Sequence, residues 1–293
     1  MRITANGVEL EVEVHGDSAN PAIVLMRGLG TQLIDWPRSF IEALLAAGLR
    51  VVVFDNRDVG LSQKFEGLPD ISQVASGAET PPYTLDNMAG DVVGILDALD
   101  IEQAHLFAIS MGGMIGQVVA AKYGDRLKTF FSVMSSSGKP GLPGPTPEAL
   151  ATLNVETSLD ASADEIIEAT AEGLRVCGSP AYPLSEEERL AIGRARYERD
   201  YSPGGARRQM AAVVATGDRA ELLKTIKVPT LVIHGADDPL VPLAAGEDTA
   251  AQIPGAELKV IPGMGHDLPD ALMPEMANIV LTFIRGQFTS SRY

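Results

Sequence analysis

Three short runs, Ala22–Met26, Val51–Phe54 and Leu231–Ile233, are apolar at every position. A strand apolar at alternate positions can leave one face in water. A strand apolar throughout must be covered on both faces, which is the mark of a parallel sheet held between helices. Helical patterns alternate with these runs: Trp36–Ala47 closed by Gly48, Leu85–Leu99 with Val92, Ile95, Leu96 and Leu99 at helical spacing, and Ile115–Tyr123 closed by Gly124. This alternation predicts an α/β fold, a mostly parallel central sheet with helices on both faces. The amino-terminal stretch reads differently. Val8, Leu10, Val12 and Val14 alternate with Glu9, Glu11, Glu13 and His15, a half-buried strand, and Asn6-Gly7 predicts a hairpin that pairs it with Arg2–Ala5.

The alternation then breaks. Ser135–Pro147 is rich in Ser, Gly and Pro, and from Glu148 to about Gly217 helical patterns follow one another: Ala163–Leu174, Ser185–Tyr197 and Ala206–Ala215. Strand character returns at Pro229–His234. The expected organisation is therefore a core of residues 1–136 and 218–293 and a helical insert, 137–217. An insert at the carboxyl ends of sheet strands sits over the ligand crevice and reads as a cap. The plainer alternative is a helical subdomain with no gating role.

Composition narrows the partners. Lys and Arg total 23 against 39 Asp and Glu, a formal net charge of −16 over 293 residues. Phosphate backbones and anionic membrane surfaces repel such a chain, so no nucleic-acid or membrane partner is expected. Nothing approaches the roughly 18 apolar residues of a membrane span, and Met1–Asn6 lacks a secretory apolar stretch. Cys177, the single cysteine, has no partner for an internal disulfide, and one Cys with four scattered His does not make a structural zinc cluster. The expectation is a cytoplasmic protein without metal or cofactor, with room left for a homo-oligomer.

The chemistry concentrates at Leu106–Ile115, where an apolar strand runs into Ser110, then Gly112 and Gly113, then a helix. Ala108-Ile109-Ser110-Met111-Gly112 is a variant of the G-x-S-x-G nucleophile elbow, in which small neighbours let strand and helix pack closely while the serine projects from a strained turn. Gly112-Gly113-Met114-Ile115-Gly116 has the wrong spacing for a dinucleotide loop. A serine hydroxyl needs a base, and the base an orienting acid. Among the histidines, His15 lies on the hairpin, His105 begins the strand far from the hydroxyl, and His234 ends a strand as a supporting or core residue. His266 lies on a Gly/Pro-rich loop after the strand-like Glu257–Ile261 and is the candidate base. Asp237 and Asp238, which follow a buried strand, supply the acid: one would orient the base, the other shape the turn. Asp55 and Arg57 read as a structural loop pair, and Cys177 as inert.

Five landmarks in order identify the chain as a member of the α/β-hydrolase superfamily: Val24–Gly30, Asp55–Ser62, the elbow at Ser110, the acid loop and the His266 loop. In the family's G-x-x-D-x-x-x-P acid loop, Gly235, Asp238 and Pro242 take the marked places, which favours Asp238 over Asp237. The resemblance implies acyl transfer through Ser110, with His266 as base, Asp238 as orienting acid, and the backbone N–H groups of Leu29 and Met111 as the oxyanion hole. Relatives usually carry His at the place of Arg27; this Arg reads chiefly as a packing residue, the alternative being a contact with a substrate carboxylate. A serine at the elbow speaks against dehalogenase and epoxide-hydrolase chemistry, which uses a carboxylate nucleophile. Ser110–Gln117 and Ile261–His266 are similar to carboxylesterases of the aclacinomycin methylesterase type, and the elbow segment is also similar to 3-oxoadipate enol-lactonases. The expected activity is hydrolysis of small to medium carboxylic esters. Lactone hydrolysis on the same residues is the alternative, and a non-catalytic small-molecule binder is the alternative of another class. With aromatics at 5%, the pocket is expected to be lined by Met and aliphatic residues of the insert.

Overall fold

The computed structural model describes residues 1–153, 161–202 and 204–290. Residues 154–160 and 203, which belong to the expected insert, lie outside the described residues. Eight strands, β1 (Arg2–Ala5), β2 (Val8–His15), β3 (Ala22–Met26), β4 (Arg50–Phe54), β5 (Ala104–Ile109), β6 (Leu127–Val133), β7 (Thr230–Gly235) and β8 (Glu257–Ile261), form one sheet in the order β1-β2-β4-β3-β5-β6-β7-β8. The pairs β1–β2 and β2–β4 are antiparallel, and all others are parallel. In chain order the helices are α1 (Arg38–Ala46), α2 (Ile71–Ser76), α3 (Leu85–Ala98), α4 (Met111–Lys122), α5 (Pro147–Thr152), α6 (Ala163–Cys177), α7 (Glu186–Arg199), α8 (Gly205–Thr216), α9 (Ala220–Leu223), α10 (Leu243–Gln252) and α11 (Met273–Ser290).

The uninterrupted apolar strands are covered on both faces. Along β3, Ala22, Val24 and Met26 pack with residues of α3 and α4, and Ile23 and Leu25 face the opposite layer with residues of α1 and α11. Phe107 in β5 is fully buried and meets the rings of Trp36, Phe40 and Phe131 at centroid distances of 5.9, 5.1 and 6.0 Å. Truncating such a side chain to Ala costs about 3–5 kcal/mol. The hairpin turns at Asn6 and Gly7, with φ of 52° and 76°, the left-handed pair a two-residue hairpin requires. Pro37 shortens the expected Trp36–Ala47 helix at its start. Leu33–Asp35 forms a short 3₁₀ turn, and α1 begins only at Arg38, because proline lacks an N–H and fits the first turn of a helix but not its interior. Strand β6 is absent from the apolar-run reading: Lys128, Thr129 and Ser132 interrupt it, yet Thr129 and Ser132 are buried.

The loops after β3, β5, β7 and β8 all leave the same edge of the sheet, because these strands are parallel. They carry Leu29, Ser110, Asp238 and His266 respectively. The α5–α8 helices lie in the chain between β6 and β7, with α6 packed on α7.

Candidate active site

Ser110 is the sharp junction between β5 and α4. Its φ of 54° and ψ of −122° place a non-glycine residue in the left-handed half of backbone space, which costs of order 1–3 kcal/mol and persists only where the surroundings enforce it. The glycines around it show how. A Cβ on Gly112 would lie 2.6 Å from the carbonyl oxygen of Arg27, one on Gly113 2.6 Å from Cβ of Ser135, and one on Gly116 2.5 Å from the ring of Phe130. No side chain fits at these three positions of the helix. The Ser110 N–H donates to the Val133 carbonyl at 2.9 Å, and the Ser135 hydroxyl donates to the Ser110 carbonyl at 2.8 Å. The backbone is thereby held on both sides.

The side chains of Ser110, His266 and Asp238, remote in the chain, meet in space. His266 Nδ1 lies 2.7 Å from Asp238 Oδ2, and its Nε2 lies 3.0 Å from Ser110 Oγ. A carboxylate only accepts, so Nδ1 carries the proton and Nε2 is the acceptor facing the serine hydroxyl. Asp238 is buried, and its Oδ1 accepts the N–H groups of Leu240 and Val241 at 2.9 and 2.8 Å. Those two donors fix the carboxylate plane and leave Oδ2 for the imidazole. Asp237 is exposed, and its Oδ2 accepts the Gly263 N–H at 2.9 Å, tying the acid loop to the histidine loop. His234 lies behind Asp238, Nε2 to Oδ2 3.7 Å, and donates Nε2–H to the Val241 carbonyl at 2.7 Å. Burial holds its pKa below the usual value. It is a neutral supporting residue. The two remaining histidines are elsewhere: His105 is buried with Nδ1 2.8 Å from Thr129 Oγ1, and His15 pairs with Glu13 on the hairpin.

The amide nitrogens of Leu29 and Met111 donate to no group among the described residues. For Met111 the reason is its place at the first turn of α4, whose N–H groups have no intrahelical partner. Gly28 runs against the serine: a Cβ there would come 3.0 Å from Ser110 Cβ. The next residue but one, Gly30, donates its N–H to Gln209 Oε1 of α8 at 2.8 Å. The Arg27 side chain is buried, with Cζ 4.9 Å over the Trp36 ring.

Several residues without a sequence signal hold this arrangement. The His266 N–H donates to the Cys177 carbonyl at 2.7 Å, the Gly265 N–H donates to Ser179 Oγ at 2.9 Å, and the Ser179 hydroxyl in turn donates to Asp267. A Cβ on Gly265 would strike the Gly178 and Cys177 carbonyls at 2.5 and 2.7 Å. The loop bearing His266 is thus clamped by the end of α6, where burial raises the pKa of the Cys177 thiol and the residue contributes through its carbonyl. Asp55 and Arg57 do not pair with each other as expected. Asp55 accepts from Arg199 Nη1 of α7 at 2.7 Å and from the Leu33 N–H at 2.7 Å, whereas Arg57 Nε binds Asp91 at 2.7 Å. Two further guanidinium groups cross from the helices to the same loops, Arg196 to Asp35 at 2.7 Å and Arg208 to Asp58 at 2.8 Å. A cavity of about 140 Å³ opens between these loops and helices. It touches Gly30 but none of Ser110, His266 and Asp238, and Tyr197, Tyr201, Arg196, Asp200 and Gln32 are among its walls.

Among the described residues no group of His, Cys, Asp and Glu could hold a metal ion, and no helix is long and apolar enough to cross a membrane.

The chain resembles known proteins along most of its length. The chain is 28% identical to rhodomycin D methylesterase of Streptomyces sp. (strain C5), over 97% of each chain. It is 28% identical to 3-oxoadipate enol-lactonase 2 of Acinetobacter baylyi, over 88% of this chain and 87% of the relative. The enol-lactonase structure from Burkholderia xenovorans LB400 superposes with a TM-score of 0.77 at 24% identity, covering 97% of this chain and 100% of that one, a likeness of fold. The family model described as the alpha/beta hydrolase fold matches residues 21–270, and the chain belongs to that family.

Proposed function

We propose that the protein is a serine hydrolase that cleaves small to medium carboxylic esters through an acyl-enzyme on Ser110. The observation that carries the reading is one continuous relay: Ser110 Oγ 3.0 Å from His266 Nε2, and His266 Nδ1 2.7 Å from a buried Asp238. His266 takes the serine proton as Oγ attacks the ester carbonyl. Asp238 holds the imidazole in the tautomer that can accept it and stabilises the imidazolium that forms. The oxyanion develops against the N–H groups of Leu29 and Met111, each such donor being worth roughly 3–4 kcal/mol of barrier. His266 then returns its proton to the leaving alcohol, and water, activated by the same imidazole, releases the acid. The helical segment 137–217 is the cap in this reading, and the guanidinium pairs of Arg196, Arg199 and Arg208 with core carboxylates support a seated cap. The methylesterase relative supports an ester substrate.

Hydrolysis of lactones by the same steps is the second reading, favoured by the similarity to an enol-lactonase. In both, the partner is a small molecule. The cytoplasm is the compartment that the unpaired, buried Cys177 supports. A p-nitrophenyl acetate assay tests the reading: the wild type turns over, and Ser110→Ala and His266→Ala fall to background. Undiminished turnover in either variant contradicts it.

A further inference from the structure

Arg27 is 9% exposed, and its Nε and Nη1 are buried with no hydrogen-bond partner. The Trp36 ring covers the face of the guanidinium at 4.9 Å, which leaves the in-plane N–H donors unused. The nearby carboxylates are already engaged. Asp35 accepts from Arg196 and from the Gln32 N–H, and Asp267 accepts from Ser179. Burial outweighs their attraction and lowers the Arg27 pKa to about 10, so the group still carries its charge at neutral pH. An uncompensated buried cation is costly to a fold, and residues kept at such a cost cluster at sites that take a ligand. The position is telling. Arg27 immediately precedes Gly28, which packs against Ser110, and Leu29, the second oxyanion donor in the reading above.

Resting on that reading, we propose that Arg27 is an anion subsite beside the oxyanion loop, and that the enzyme prefers esters or lactones carrying a free carboxylate. The guanidinium fork pairs the carboxylate in the plane while Trp36 holds its face, which places the scissile carbonyl relative to Ser110. In a chain of net charge −16, an anionic substrate needs such a dedicated cation.

The test compares p-nitrophenyl butyrate with the mono-p-nitrophenyl esters of succinic and glutaric acid. The wild type prefers a half-ester. In Arg27→Met, which keeps the stem over Trp36, the anionic-to-neutral ratio of kcat/KM falls about 100-fold, the loss expected for a bidentate charged pair, and Arg27→Lys keeps part of the preference. The folded Arg27→Met protein melts higher than the wild type. Glutarate raises the wild-type Tm and leaves that of Arg27→Met unmoved. An unchanged ratio, a wild type that prefers the neutral ester, or equal glutarate shifts overturn the subsite. If the wild type cleaves no ester and takes no fluorophosphonate at Ser110, the hydrolase reading fails, while the glutarate shift still decides the subsite.

Discussion

The geometry around Asp238 makes the Asp238→Asn variant unusually informative. Oδ1 accepts two backbone N–H groups, from Leu240 at 2.9 Å and Val241 at 2.8 Å. An amide in this place must put its oxygen there, because its NH₂ would face two donors. Its nitrogen then occupies the Oδ2 position, 2.7 Å from His266 Nδ1. A donor now faces Nδ1, so Nδ1 becomes the acceptor and the ring proton moves to Nε2. The nitrogen that faces Ser110 Oγ at 3.0 Å can no longer take the serine proton. Losing the correct tautomer costs about 10⁴ in kcat, or roughly 5.5 kcal/mol of barrier. KM should change little, because no substrate contact is removed. In Asp237→Asn the amide oxygen can still accept from Gly263, so its kcat should stay within about tenfold of the wild type, the scale of one neutral hydrogen bond. Steady-state ester kinetics on the two variants, with ¹⁵N NMR of the imidazole to read the tautomer, check the reasoning. Equal losses, or an Asp238→Asn enzyme still protonated at Nδ1, would refute it.

Three further outcomes follow from packing and burial. Gly112→Ala forces a Cβ against the Arg27 carbonyl at 2.6 Å; it should destabilise the protein by about 1–3 kcal/mol and lower kcat, and a Tm and kcat matching the wild type would show that the elbow is not under this constraint. Arg199→Met leaves Asp55 fully buried and without its cation, a loss of about 3–5 kcal/mol; urea unfolding measures it, and a change under about 1 kcal/mol, the worth of a surface pair, would contradict the buried-pair account. His105 is buried, and desolvation lowers its pKa to about 4 from 6.5. The unfolded chain therefore binds a proton that the folded one refuses. Stability is full above pH 6.5 and falls as the pH drops toward 4, by about 3 kcal/mol in all. In a pH series of urea melts, His105→Gln should flatten this limb, and an unchanged slope would assign the acid loss to other groups.

Much of the scaffold is written in local sequence. Uninterrupted apolar runs specify β3, β4 and β7, and Asn6-Gly7 specifies the hairpin. Ser110, His266 and the pair Asp237–Asp238 stand out because each follows a strand on a short Gly- or Pro-containing turn, whereas the choice of Asp238 over Asp237 comes from the resemblance to the family's acid loop. What stayed hidden depends on contacts distant in the chain. Lys128, Thr129 and Ser132 mask β6, since nothing local shows that Thr129 meets His105 across the sheet. The clamp of Cys177 and Ser179 on the His266 loop joins segments nearly ninety positions apart. The partner of Asp55 could not be chosen from sequence either, because nothing local distinguishes Arg57 two places on from Arg199 in α7.

The central claim is that Ser110 becomes acylated, and trapping the intermediate tests it most directly. Protein quenched during turnover of p-nitrophenyl acetate and digested for mass spectrometry should carry a single acetyl group on the peptide containing Ser110. The adduct should build up in a burst and be absent from Ser110→Ala and from His266→Ala. Turnover without any adduct at Ser110, or acetylation on another residue that persists in Ser110→Ala, would contradict the account.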